Sequence, residues 1–256
     1  MSNRAGSPDT YPRERSSVGN VSSAEAFSAT KWGSRRPRPG PESALVERFL
    51  EEFPLSASRG IRVTLFREPK LDSGFPDLVS VSWHPATADK WSANRARLKR
   101  DDLRLLHLLE SSGPLRGIDL DRHGEGRAST SLKRLVDLGL ARMTRAGWRS
   151  ASARATFAVR KIVAFEAKVA DLNGAVAQAS LNRWFASESY ILVPRAPRAS
   201  IEVNAKRHGV GIWVVGSRRP LLAAADGGRQ PVSYASWLFN EWAWRTALSV
   251  KGEKTP

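Results

Sequence analysis

The chain contains no cysteine. Disulfides, thiolate metal sites and cysteine nucleophiles are therefore excluded, and a reducing compartment, the cytoplasm, is the expected location. Acidic residues are scarce beside basic ones. Across 256 residues, 25 Asp and Glu stand against 41 Lys and Arg, a net charge of +16. An excess of this sign favours a polyanionic partner, nucleic acid first among them, although a basic surface also serves solubility alone. Long apolar runs are missing too. Stretches such as GVGIWVVG, 209–216, fall far short of the roughly 20 residues a membrane-spanning helix needs. The opening MSNRAGSPDTYPRERSS lacks the apolar region of a secretory signal, so no membrane partner is expected. His84, His107, His123 and His208 show no metal-ligand spacing and read as surface or structural residues.

What is present suffices for a core: 41% of the residues are hydrophobic, ordinary for a globular α/β chain. Residues 1–40, rich in Ser, Pro, Gly and Arg without a regular period, read as a disordered basic arm. In PESALVERFLEEF, 41–53, Ala44, Leu45, Phe49, Leu50 and Phe53 recur at helical spacing. GIRVTLFRE, 60–68, and DLVSVSW, 77–83, alternate as strands, with Val79, Val81 and Trp83 sharing one face. The pattern then changes. Residues 96–152 predict a helix, a loop or short helix, a second helix closed by Gly139, and a hairpin. From 153 to 250 strands and helices alternate again. The expected organisation is the arm, a first α/β part over 41–95, an inserted module over 96–152 and a second α/β part over 153–250.

One strand carries charges where apolar residues would do. In IVAFEAKV, 162–169, Glu166 and Lys168 are two apart and so share a face, while Phe165, Ala167 and Val169 share the other. Asp77, after Pro76, opens an earlier strand. If the two strands are neighbours, Asp77 and Glu166 converge. Hard carboxylate oxygens of that kind hold Mg²⁺, completed by water and phosphate. Lys168 then polarises or deprotonates an attacking water, or neutralises charge on the phosphate. Plainer readings stand beside this one: an exposed ion pair for Glu166 and Lys168, and a turn-forming Asp77.

FPD at 75–77 with FEAK at 165–168 resembles the motif of the PD-(D/E)XK nuclease superfamily, whose restriction-endonuclease-like fold is a mixed sheet flanked by helices. The resemblance covers roughly 41–85 and 155–216. It implies a Mg²⁺- or Mn²⁺-dependent phosphodiester hydrolase, with Asp77 and Glu166 as metal ligands and Lys168 as the assisting base or cation. It also implies a glutamate on the first core helix, matched by Glu42 and next by Glu47, and a glutamine on the helix after the lysine, matched by Gln178. Glu42 also suits a helix N-terminus, and Gln178 an amphipathic surface. The interval from Asp77 to Glu166 is longer than the family's usual one. Insertion of the 96–152 module between the two motif strands accounts for it.

STSLKRLVDLGLARMTRAGW within that module resembles the third helix and wing of a winged helix-turn-helix. The resemblance implies DNA contacts from Arg127, Ser129, Thr130, Ser131, Lys133 and Arg134 on the helix and from Arg142, Arg145 and Arg149 on the wing. A module that only packs on the core is the alternative. The expected partner is nucleic acid, DNA before RNA, and a homodimer is compatible with the pattern. The competing functions are a DNA-binding regulator whose nuclease-like part is catalytically silent, and a protein-interaction adaptor.

Overall fold

The computed structural model describes residues 21–22, 34–52, 58–116 and 127–250. A mixed sheet organises them. Its strands are β1 (Val21–Ser22), β2 (Arg62–Arg67), β3 (Leu78–Trp83), β6 (Val159–Ala167), β7 (Glu188–Val193) and β8 (Gly211–Val214), in the spatial order β1-β2-β3-β6-β7-β8. Five of these form the sheet proper, and the two-residue β1 lies parallel to β2 at one edge. β2, β3 and β6 are antiparallel neighbours, whereas β6, β7 and β8 run parallel. Parallel strands need crossovers, supplied by α6 (Leu172–Leu181) and α7 (Ala199–Arg207).

Alternation along the strands sorts side chains between two faces. α1 (Pro41–Glu52) covers one, packing Leu45, Val46 and Phe49 against Val63, Leu65, Leu78, Phe165 and Leu192. On the other face α8 (Tyr234–Val250) lies under β3 and β6, with Trp237, Phe239 and Trp242 against Val79, Val81, Trp83, Ile162 and Ala164. α6 and α7 cover β7 and β8 through Ala175, Val176, Ala179 and Ala205. The expected sharing of a face by Val79, Val81 and Trp83 is observed.

Between β3 and β6 the chain makes a long excursion. It passes through the short helix α2 (Pro85–Ala88), a 3₁₀ turn (Ala93–Arg97), α3 (Arg100–Ser111), α4 (Arg127–Asp137), the hairpin β4 (Ala141–Thr144) and β5 (Gly147–Ser150), and α5 (Ala153–Thr156). The apolar periods expected for this module face inward: Leu103, Leu106, Leu109, Leu132 and Leu135 are buried. Gly139 adopts φ +67, and the Leu140 N–H bonds back to the Leu135 carbonyl at 2.7 Å. A left-handed residue is how a helix is turned out of its axis, and glycine takes it without strain. The module is not walled off as a unit. Its leucines belong to the same cluster as α8 and the sheet. Arg95, nearly fully buried, forks onto Glu241 of α8 at 2.7–3.1 Å.

Most of the expected basic arm, residues 1–40, lies outside the described residues, as does Phe53. Val21–Ser22, however, lines the β2 edge, and Ser34 bridges to Pro69. The Arg35 N–H bonds the Glu68 carbonyl at 3.2 Å. Among the described residues no helix is long and apolar enough to cross a membrane.

Candidate functional site

The antiparallel register of β3 and β6 sets Leu78 opposite Phe165. Asp77, one residue before β3, therefore meets the last residues of β6. Its Oδ2 accepts the Ala167 N–H at 2.7 Å, across 90 positions of sequence. Glu166, only 8% exposed, extends the face that carries Ile162 and Ala164, and its Oε1 accepts from Asn182 Nδ2 at 2.7 Å. Asn182 is buried in the 3₁₀ turn that follows α6.

The electrostatics follow from this packing. Burial first, and then the neighbouring Asp77 charge, push the Glu166 carboxyl up to about 8 against the opposing pull of the Asn182 hydrogen bond and the Lys168 charge. Asp77 is raised as well, by its own desolvation first, with Glu68 and Glu42 adding to it. Two carboxyls that share a buried site cannot both ionise cheaply. Lys168 stands just beyond β6, its N–H continuing the ladder to the Leu192 carbonyl at 3.0 Å. Its ammonium turns to Glu42 on α1, Nζ to Oε1 2.8 Å, rather than lying on the face of Glu166. That bond raises the Lys168 pKa, so the group keeps its proton.

Of the sequence-derived candidates, Asp77, Glu166, Lys168 and Glu42 are thus brought together. Glu47 instead pairs with the buried Arg67 at 2.5 Å. Gln178 points outward on the exposed side of α6; the residue that reaches Glu166 is Asn182, one helical turn on. Glu68 was not foreseen either. It is buried, takes a left-handed φ of +42, bonds the Asp77 carbonyl through its N–H at 3.2 Å and is ion-paired to Arg35. Backbone strain in a non-glycine residue beside a charged cluster is characteristic of functional sites. In sequence the only signal was a third carboxylate at the end of a strand facing FPD.

The loop carrying Asp77 is held from several sides. Asp72 accepts from Arg100 at 3.3 Å and Arg104 at 2.9 Å, both on α3. Trp184 Nε1 donates to Ser73 at 2.9 Å, and Arg35 lies over the Phe75 ring at 4.7 Å. Among the described residues no three His, Cys, Asp or Glu side chains are gathered to hold a metal; the site offers the Asp77 and Glu166 pair.

The expected DNA-contact set divides. Ser131 is buried, lining with His107, Leu108 and Ser111 a cavity of about 450 Å³. Arg134 is bound to the fully buried Asp102 at 2.6–2.7 Å. Both take part in the module's own packing. Ser129, Thr130 and Lys133 are exposed. Arg127 opens α4, but its side chain lies outside the described residues. On the hairpin Arg142 faces Arg149 directly across the strands, and both are exposed, as is Arg145 in the turn. His123 is outside the described residues; His84 and His208 bond backbone carbonyls near the surface.

No protein-family model, no curated protein and no solved structure matches this chain.

Proposed function

We propose that the chain is a divalent-metal-dependent nuclease of the PD-(D/E)XK type that hydrolyses phosphodiester bonds in DNA. The observation that carries this reading is the meeting of Asp77 with Glu166 at the end of paired strands, with Lys168 beside them. The donor set suits Mg²⁺ or Mn²⁺. Each carboxylate has one oxygen held by an N–H of the protein, from Ala167 or Asn182, which orients the second. The two repel one another, and Lys168 is committed to Glu42. Mg²⁺ prefers few carboxylates, its remaining positions going to water and substrate phosphate. Asp77 and Glu166 would hold it. A bound ion of this kind supplies Lewis acidity and a more acidic water.

The protein's own residues supply the rest. Asn182 and the Ala167 N–H fix the carboxylates before substrate arrives, so little reorganisation is left for the reaction. Lys168, kept protonated by Glu42, suits neutralising charge on the phosphate better than taking a proton from water. The 96–152 module, read as a winged helix-turn-helix, adds grip. Like charges facing across a ribbon repel, and Arg142 with Arg149 gains most when a polyanion lies between them.

The test is nicking of a plasmid with Mg²⁺ or Mn²⁺, beside Glu166→Gln and a chelator control. Metal-dependent cleavage that disappears in the variant supports the reading; cleavage that survives it sinks the assignment. The second reading, a regulator with a silent nuclease-like part, draws on the same arginine pair. It requires tight DNA binding in chelator and no cleavage of any substrate.

A further inference from the structure

The nuclease reading leaves open where the substrate backbone lies, and the parallel half of the sheet bears on that. The register sets Ala167, Leu192 and Trp213 level on β6, β7 and β8. All three strands therefore end along one edge. The Lys168 N–H bonds the Leu192 carbonyl at 3.0 Å, and the Val215 N–H the Val193 carbonyl at 2.9 Å, so the ladder stays in step to the last residue. The chain leaves that edge through Lys168, through PRAPR at 194–198, and through GSRR at 216–219. Arg195, Arg198, Arg218 and Arg219 are all exposed.

The backbones of the two loops that carry these arginines are constrained. Pro194 and Pro197 each fix φ in the first loop. Arg198 occupies the N-cap of α7, where its donor-only guanidinium takes no part in capping. In the second loop the Ser217 hydroxyl lies 2.6 Å from the Val214 carbonyl and 3.0 Å from that of Arg219, while Trp213 Nε1 donates to the Ser217 carbonyl at 3.0 Å. The acids beside the row are Glu42 of α1, which holds the Lys168 ammonium at 2.8 Å, Glu52 of α1 near Gly216, Asp171, whose Oδ1 caps α6 through the Gly174 N–H at 3.1 Å, and Glu202 in the first turn of α7. The other side of the site is different in character: Glu68 and Asp72 lie there, each with its arginine already paired.

We infer that the edge formed by Lys168, Arg195, Arg198, Arg218 and Arg219 is a nucleic-acid track that binds successive backbone phosphates and leads them to the Asp77–Glu166 pair. Adjacent strands stand about 4.8 Å apart, so the two arginine loops step away from Lys168 on the scale of neighbouring phosphates. The partner is a nucleic-acid backbone rather than an acidic protein or an anionic membrane because the row continues from the candidate cleavage site. The inference rests on the nuclease reading, but binding tests it without cleavage.

The full chain is titrated with fluorescent duplex and single-stranded oligonucleotides in chelator, over a series of salt concentrations. Compared with it are the paired variants Arg195→Gln/Arg198→Gln and Arg218→Gln/Arg219→Gln, their combination, and Arg142→Gln/Arg149→Gln on the hairpin. Each duplex phosphate contact contributes about 0.9 to the slope of log affinity against log salt. The fourfold variant should lose about 2 to 4 from that slope, with each pair losing part of it and melting temperatures unchanged. An unchanged slope overturns the track. So does an equal loss of binding to polyglutamate or to anionic lipid vesicles, which would show an unspecific basic surface. Cleavage by the native chain with slopes unaltered would sink the track alone; slopes that fall in a chain that never cleaves would sink the nuclease reading alone.

Discussion

Replacing Glu166 with glutamine should remove the proposed metal-dependent cleavage and stabilise the protein at alkaline pH. The side chain is 8% exposed and its carboxyl is pushed up to about 8 from an ordinary 4.5. The folded state therefore holds a proton that the unfolded chain has released, across the window between those two values. Where the native state binds more protons, stability falls as pH rises. At about 1.4 kcal/mol per pKa unit the full cost of ionisation approaches 5 kcal/mol, and relaxation with sharing by Asp77 brings the expected loss to about 2–5 kcal/mol. Glutamine has nearly the same shape. Its oxygen can still accept from Asn182 and its amide can donate to Asp77, as the protonated acid does, but it never ionises. Urea unfolding of both proteins from about pH 5 to 9 should show a falling curve for the native chain and a nearly flat one for Glu166→Gln. Saturating Mg²⁺ should recover much of the native chain's loss and leave the variant unmoved. If the two curves fall in parallel, Glu166 does not hold its proton in the fold, and the electrostatic account of the site fails with it.

Other outcomes follow from the same packing. Glu241→Ala leaves Arg95 buried and unpaired, which should cost about 3–5 kcal/mol in urea unfolding, while Arg95→Leu with Glu241→Met should restore most of it. On the proposed nuclease function, Lys168→Gln should lower kcat for cleavage well beyond any change in KM, because the ammonium would oppose charge developing in the reaction. Asn182→Ala frees the Glu166 carboxylate to turn and should weaken Mg²⁺ binding about 10-fold or more, measured by calorimetry. Arg142→Gln with Arg149→Gln should reduce the salt slope of duplex binding by about 2, while the hairpin itself gains a few tenths of a kcal/mol from relief of cross-strand repulsion.

The two-residue period of FEAK and the position of Asp77 made the paired carboxylates legible, because strand alternation and a shared sheet are local rules. The amphipathic leucines of α3 and α4 were legible for the same reason. Contacts made between elements were not. Gln178 and Asn182 are one turn apart on nearly the same face, and only the docking of the helix end against β6 selects the second. Arg134 reads as a free cation until Asp102, buried on another helix, is placed beside it. Glu68 needed a left-handed backbone that its sequence does not announce. The direction of Lys168 depended on where β6 stops, since a side chain beyond the last strand residue is no longer bound to either face.

The excursion between β3 and β6 also governs the order in which the molecule can assemble. β6 is the middle strand of the sheet, and its antiparallel neighbour precedes it by the whole of the α2–α5 segment. The pairing is therefore a long-range event, and loop closure over that length slows folding. During synthesis Asp77 leaves the ribosome long before the strand that completes its surroundings. Until β6 arrives, β3 presents an open apolar edge, with Val79 and Val81 uncovered by α8. The nascent chain thus passes through a stage in which its site is absent and its hydrophobic strands are exposed, a window in which a chaperone would have the most to hold.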